Sequence, residues 1–409
     1  MTITINNKNK KPNVPNLRFK EFQGEWEKMR LDAFTKRVMR KNKSNQSRLP
    51  LTISAQYGLV DQITFFNKVV ASTDLSNYYL LKKGEFAYNK SYSSDYPWGA
   101  IKRLDNYDQG ALSSLYICFA PQDNVVSDFI LQYFESPKWH KGISEIAVEG
   151  ARNHGLLNVA VQDFFHTYHY VPKDKKEQIK ISKLLMLLDE RIATQNKIID
   201  KLQTLIRGIM VELQKQGLKN GTWKKFILAD VLSERSELNI NLHQVFSVSV
   251  SKGVVNQVEY LGRSFSAKDT SKYHVVHYGD IVYTKSPTGS FPYGIVKQSL
   301  NHDNVAVSPL YGVYKPKNFS TGMFLHQYFM SEVNTLNYLH PLIQKGAKNT
   351  INITNQRFLE NRVAMPINTD TLLVISQLLR SLNYKIEYQQ SLILQYQKQK
   401  QYLLRQMFI

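Results

Sequence analysis

The chain of 409 residues contains one cysteine, Cys118. That count excludes an intrachain disulfide and any zinc site built on several thiolates. No apolar run approaches the length of a membrane span, and the opening MTITINNKNKKPNVPN lacks the apolar stretch of a secretory signal. A reducing, cytoplasmic location is the resulting expectation. Catalytic signatures are missing too. There is no GxxxxGK[ST] loop for nucleotide phosphates, no GxGxxG after a strand, and no Asn-Pro-Pro-aromatic tetrapeptide of the amino-methylating kind. The ten histidines are scattered. His166/His169 and His274/His277 are each three apart without a third ligand beside them, so neither pair predicts a metal site. The expectation is a protein that binds rather than reacts, with no catalytic residue, metal or cofactor of its own.

Acid is also scarce. Against 53 Lys and Arg stand 33 Asp and Glu, a net charge of +20. Such an excess favours a polyanionic partner, most often nucleic acid; a basic protein without one is the plainer alternative. The length suits two or three domains, and a hydrophobic content of 43% is enough to build their cores.

What is present is an apolar seam. Ile181, Leu185, Leu188, Ile192, Gln195, Ile199, Leu202, Ile206, Ile209 and Leu213 follow each other in alternating steps of four and three, the spacing of a coiled-coil helix. Adding 194 gives Ile375, Leu379, Leu382, Ile386, Gln389, Ile393, Tyr396, Lys400, Leu403 and Met407, and the single glutamine recurs in register. Asp174 and Asn368 are the expected N-caps, with Glu177 completing a capping box for the first helix. That helix is expected to run out at Gly217, before an Asn220-Gly221 turn. Tyr396 and Lys400 depart from an ideal seam, which marks either looser packing near the end of the second helix or a place where partners touch.

The repeat extends beyond the helices. Trp26 and Leu31 match Trp223 and Leu228 at a separation of 197. Gly84-Glu85-Phe86-Ala87-Tyr88-Asn89-Lys90-Ser91 then matches Gly279-Asp280-Ile281-Val282-Tyr283-Thr284-Lys285-Ser286 at 195, and Trp98 to Lys102 lies over Tyr293 to Lys297 at the same offset. Phe129 to Phe134 falls over Phe324 to Phe329, and Gly150-Ala151-Arg152-Asn153 pairs with Gly346-Ala347-Lys348-Asn349. One nearly constant offset over so many identities is a duplication. The predicted organisation is a flexible arm (1–16), a first mixed domain (17–171), a first helix (172–216), a second mixed domain (217–365) and a second helix (366–409).

In each mixed domain a Gly-acid turn feeds a short strand, with Phe86/Ile281 and Tyr88/Tyr283 expected in the core. Lys90, Ser91, Lys285 and Ser286 fall just past that strand, where loops carry function. Arg152, Asn153, Lys348 and Asn349 follow a glycine that permits a tight turn, and a cation beside an amide suits base edges. With Lys102 and Lys297 these are the candidate DNA contacts; a solvated surface is the competing reading. Against the basic run Lys36, Arg37, Arg40, Lys41, Lys43 and Arg48 the corresponding Ser233-Glu234-Arg235-Ser236-Glu237 is mixed in charge, and most of the run reads as a solvated face.

These features together resemble the specificity subunit of type I restriction-modification systems: a Leu17-Arg18-Phe19 to Trp26 opening, then variable domain, long helix, variable domain, long helix. The resemblance covers essentially the whole chain. It implies an α+β fold with two repeated mixed α/β target-recognition domains, joined by two long helices packed as an antiparallel coiled coil; periodicity alone leaves the pairing direction open. It further implies that each domain reads one half of a bipartite, asymmetric site in double-stranded DNA. Partners would be two modification subunits, which carry S-adenosylmethionine, and restriction subunits that use ATP and magnesium. The run from Ile181 to Leu213, at ~1.5 Å per residue, makes a rod of roughly 50 Å. That is long enough to space half-sites one DNA turn apart, about 34–36 Å. The alternative is a coiled-coil adaptor with sequence-blind nucleic-acid binding.

Overall fold

The computed structural model describes residues 3–5, 13–54, 57–68, 71–147, 155–264, 266–345 and 351–409. The chain forms two compact units, Met1–Gln195 with Ser391–Ile409, and Asn196–Gln390.

Each unit is built on the same four-stranded antiparallel sheet. In the first the order is Thr35–Arg37, Ile117–Pro121, Phe86–Asn89, Ala100–Arg103; in the second it is Leu232–Glu234, Gly312–Pro316, Ile281–Thr284, Ile295–Gln298. The registers coincide: Phe119 lies opposite Phe86 and Arg37, and Tyr314 opposite Ile281 and Glu234. The central strand is covered on both faces, which is why its sequence is apolar throughout rather than alternating. Phe86 and Tyr88 face one core, with Phe129, Phe164 and the long helices, while Ala87 faces another, with Leu51, Leu81 and Leu112. Ile281 and Tyr283 share the corresponding core of the second unit, and Val282 packs with Val276, Val305 and Val307.

A closing strand precedes each long helix. Tyr168–Val171 pairs with Glu27–Arg30, and Arg362–Pro366 with Trp223–Ile227. The helices span Lys175–Lys219 and Thr369–Gln406. Asp174 Oδ1 accepts from the Lys176 amide at 2.8 Å, and Asn368 Oδ1 from those of Asp370 and Thr371 at 2.7 and 3.1 Å. Both are N-caps, as the sequence predicts. The capping box is not closed, because Glu177 turns inward to Arg18 at 2.7 and 2.8 Å.

The first helix also does not stop at Gly217. It continues to Lys219, and a Cβ on Gly217 would stand 1.9 Å from the indole of Trp223. The glycine makes room for that ring instead of capping the helix.

Within the first unit the helices run antiparallel. Lys400 reaches Asp189 at 2.6 Å, and Arg191 lies 5.7 Å from the ring centroid of Tyr396, so position rises on one helix as it falls on the other. The two departures from the seam therefore have partners of their own. Leu403, Leu404, Met407 and Phe408 join Trp26, Leu185 and Leu188 in the domain core. In the second unit Leu372, Ile375 and Leu379 join Met210, with Ile206 and Leu213 at its edge. The helices are thus continuous with the cores of both units.

Each unit carries one unsatisfied seam position. Gln195 Oε1 and Gln389 Oε1 are each buried without a hydrogen-bond donor. Replacing either by Leu should raise stability by about 1 kcal/mol, read as a higher urea midpoint, because an orphaned buried acceptor gives way to apolar packing. An unchanged or lower midpoint would show that the amides are satisfied in solution.

Candidate nucleic-acid interface

The shared strand fixes a shared loop. Tyr88 donates from its hydroxyl to the Trp98 carbonyl at 2.9 Å, and Tyr283 to that of Tyr293 at 2.7 Å. The loop returns through Gly99 and Gly294, at φ +78° and +103°. A Cβ there would lie 2.1 Å from the Asn89 carbonyl oxygen and 1.9 Å from that of Thr284. No other residue lets the chain re-enter the sheet so close to the outgoing strand.

Lys90 leaves this framework half-buried. Its carbonyl accepts from the Leu157 amide at 2.9 Å, the Tyr92 amide donates to Gly155 at 3.0 Å, and Ser91, exposed, forms a bridge with Leu156. The pairing sets Gly155, Leu156 and Leu157 against the Lys90 loop; Arg152, Asn153, Lys348 and Asn349 lie outside the described residues. A cleft of about 140 Å³ is lined by Arg37, Tyr79, Lys90, Ser114, Tyr116 and Cys118. Lys41 Nζ stands 4.3 Å over the Tyr79 ring. Cations above aromatic rings, opening past a strand end, can take a phosphate. Arg37 belongs to the run read from sequence as a solvated face. Only the pairing of its strand with Ile117–Pro121 brings it to Lys90, and no local signal announces that. Arg40 is instead committed to Glu85 at 2.8 Å.

In the second unit the register puts Glu234 where Arg37 stands. Glu234 accepts from Asn355 at 2.8 Å. Burial lowers the Lys285 ammonium below its ordinary range, and Glu234 opposes that shift. Ser286 is exposed, its amide donating to Thr284 Oγ1 at 3.3 Å. The same scaffold thus places a cation at this register position in one unit and an acid in the other.

Lys102 and Lys297 do not sit on these surfaces. Lys102 is buried and pairs with Glu135 at 2.6 Å. Lys297 is 2% exposed, and among the described residues it forms no ion pair. Their strand is the edge strand of the sheet and a helix packs against it, so both side chains are buried in protein, which corrects the expectation of DNA contact for them. Burial pushes the Lys297 ammonium down to about 8. Because the folded state holds this proton less tightly than the unfolded one, its penalty is complete below pH 8 and is relieved as pH rises to about 10.5. Lys297→Met should therefore raise stability at pH 7 by on the order of 2–3 kcal/mol, a gain that vanishes near pH 10.5. Urea melts at pH 7 and pH 10 check this; a gain independent of pH would mean that the ammonium is not the cause.

In each histidine pair one imidazole is held by neighbouring side chains. His169 is buried between Tyr133 at 3.0 Å and Thr167 at 2.8 Å, and burial drives its imidazole down to about 3. His277 contacts Glu237 at 2.7 Å. Among the described residues no group of three or more His, Cys, Asp or Glu could hold a metal, and no helix is long and apolar enough to cross a membrane. Cys118 is buried, and that burial pushes its thiol up to about 12.

The chain has the two-domain, two-helix α+β architecture of type I restriction-modification specificity subunits. It is similar to the type I restriction-modification S subunit from M. genitalium, at TM-score 0.57 and 12% identity over 97% of this chain and 99% of that one. Similarity extends to a structure of the type I restriction-modification system described for complex assembly and conformational transition (TM-score 0.45, 10% identity, 94% and 97% covered). It extends also to the HsdS subunit from Thermoanaerobacter tengcongensis (TM-score 0.39, 13% identity, 94% and 96% covered). No family model and no curated protein matches the sequence.

Proposed function

We propose that the chain is the DNA-specificity subunit of a type I restriction-modification complex, acting in the cytoplasm. Each mixed domain reads one half of a split, asymmetric site in double-stranded DNA, and the helix pair sets the spacer. The observation that carries this reading is the duplicated sheet with its charge changed at one register position, Arg37 against Glu234. One scaffold holding two different loop chemistries is what two readers of different half-sites need. The net charge of +20 supplies the non-specific attraction. Methyl transfer from S-adenosylmethionine would belong to two modification subunits, and ATP- and magnesium-dependent cleavage to the restriction subunits.

Mixed with its modification partner, the chain should direct methylation to one split sequence, read by methylome sequencing of a host carrying both genes. Methylation of adenines without sequence preference would leave the adaptor reading. Inserting one heptad into the first helix should change the spacer and leave the half-site letters intact; changed letters would reject the ruler role.

A further inference from the structure

Each unit carries a second shared module, on its hairpin. The stretch from Gly58 to Lys68 lies over Gly253 to Arg263 at the constant offset of 195. In both, a glycine at positive φ (+78° and +77°) opens the return strand, and Asp61 or Asn256 caps a one-turn helix by accepting from the Ile63 or Val258 amide at 3.0 Å. Asn67 or Gly262 ends it in the left-handed region, and an exposed cation, Lys68 or Arg263, follows.

This turn shows its apolar side chains outward. Ile63, Phe65 and Phe66 are 41, 44 and 43% exposed, and Val258, Tyr260 and Leu261 are 52, 41 and 45% exposed. The first aromatic of each pair is held from the hairpin: Tyr57 lies edge-on to Phe65 at 6.5 Å, and Lys252 stands 5.5 Å over Tyr260, whose hydroxyl meets Ser249 at 3.1 Å. Phe66, whose ring meets Phe65 edge-on at 5.0 Å, and Leu261 are the last residues of their helical turns.

Duplication restricts what these tips meet. The reading loops of the two units differ, so a feature kept in both addresses something common to the two ends. Three side chains exposed to this degree present roughly 250 Å². A stable protein interface needs about 800 Å² per partner, so the patch is too small to dock a subunit by itself. It suits an apolar wedge. Phe, Leu and Ile pushed between base steps unstack and kink a duplex. We propose that Phe66 and Leu261 are paired wedges, one per unit, that enter a base step of double-stranded DNA beside each half-site. This rests on the DNA-reading function proposed above.

The test uses the full chain with its modification partner and a pool of random-sequence duplexes. Duplexes retained by the complex are treated with permanganate, which attacks unstacked thymines, and are then sequenced. The expected result is a fixed reactive step at each half-site. Phe66→Ser should abolish one of them and Leu261→Ser the other, each with about a tenfold loss of retention and an unchanged salt slope. Phe66→Leu, which copies the second unit, should keep the first step reactive, and unchanged melting of all variants shows that they fold. Unchanged reactivity in both serine variants overturns the wedge. Release of the modification partner with thymine reactivity intact overturns it as well and makes the tip a protein contact. Failure of the wild-type complex to retain any duplex would instead remove the DNA-reading function, and the wedge with it.

Discussion

Glu177→Ala is expected to destabilise the first unit by about 3–5 kcal/mol, enough to unfold much of it at 37 °C. The carboxylate meets Arg18 through both oxygens, at 2.7 and 2.8 Å, and also accepts from the Trp26 indole at 3.2 Å. The two side chains are 8% and 2% exposed, so removing the acid leaves a guanidinium buried without its counter-ion. Among the described residues Arg18 then keeps its bonds to the Gly24 and Gln23 carbonyls alone. The pair ties the opening strand to the first turn of the long helix, so its loss acts on both. Arg18→Met with Glu177→Met should recover most of the stability, because an apolar pair of similar volume leaves no unpaired charge. Urea unfolding of the two variants checks the pair of outcomes; a mild loss in Glu177→Ala would show that water reaches Arg18.

That glutamate illustrates where sequence reasoning runs out. Position 177 carries a capping-box residue by local rule, and a local rule cannot see Arg18, which is 159 positions away. The seam and the duplication were legible because each is a spacing along the chain. Burial of Ile181, Leu185, Ile375 and Leu379 follows the predicted periodicity. Lys102 and Lys297 show the converse: a lysine in a short repeated segment reads as exposed, and only the helix packed over its strand buries it. The cleft residues Arg37, Tyr79 and Tyr116 come from three separated strands or turns, so no spacing could group them. The hairpin turns were within reach at the offset of 195, but apolar residues in a short turn look like an ordinary loop until the fold shows how far they are exposed.

The loop framework gives the other large effect. Gly99→Ala is expected to cost more than about 3 kcal/mol, while Gly84→Ala costs only about 1. Both glycines lie in the first unit at positive φ, +78° and +86°, so the backbone strain of an added methyl is similar. They differ in space. Nothing lies within 4 Å of a Cβ on Gly84, whereas one on Gly99 falls 2.1 Å from the Asn89 carbonyl oxygen and 3.0 Å from the Tyr88 ring. Asn89 is the last residue of the strand that delivers Lys90, and Tyr88 is the residue whose hydroxyl holds the loop at Trp98. Relief of the clash must therefore move the candidate interface itself. In a complex with its modification partner, Gly99→Ala should lose discrimination at one half-site and keep it at the other, since Gly294 and its loop belong to the second unit. Denaturation measures the stability difference, and methylome sequencing measures the discrimination. Equal costs for the two substitutions, or loss of both half-sites together, would mean that Gly99 does not set the reading loop of one unit alone.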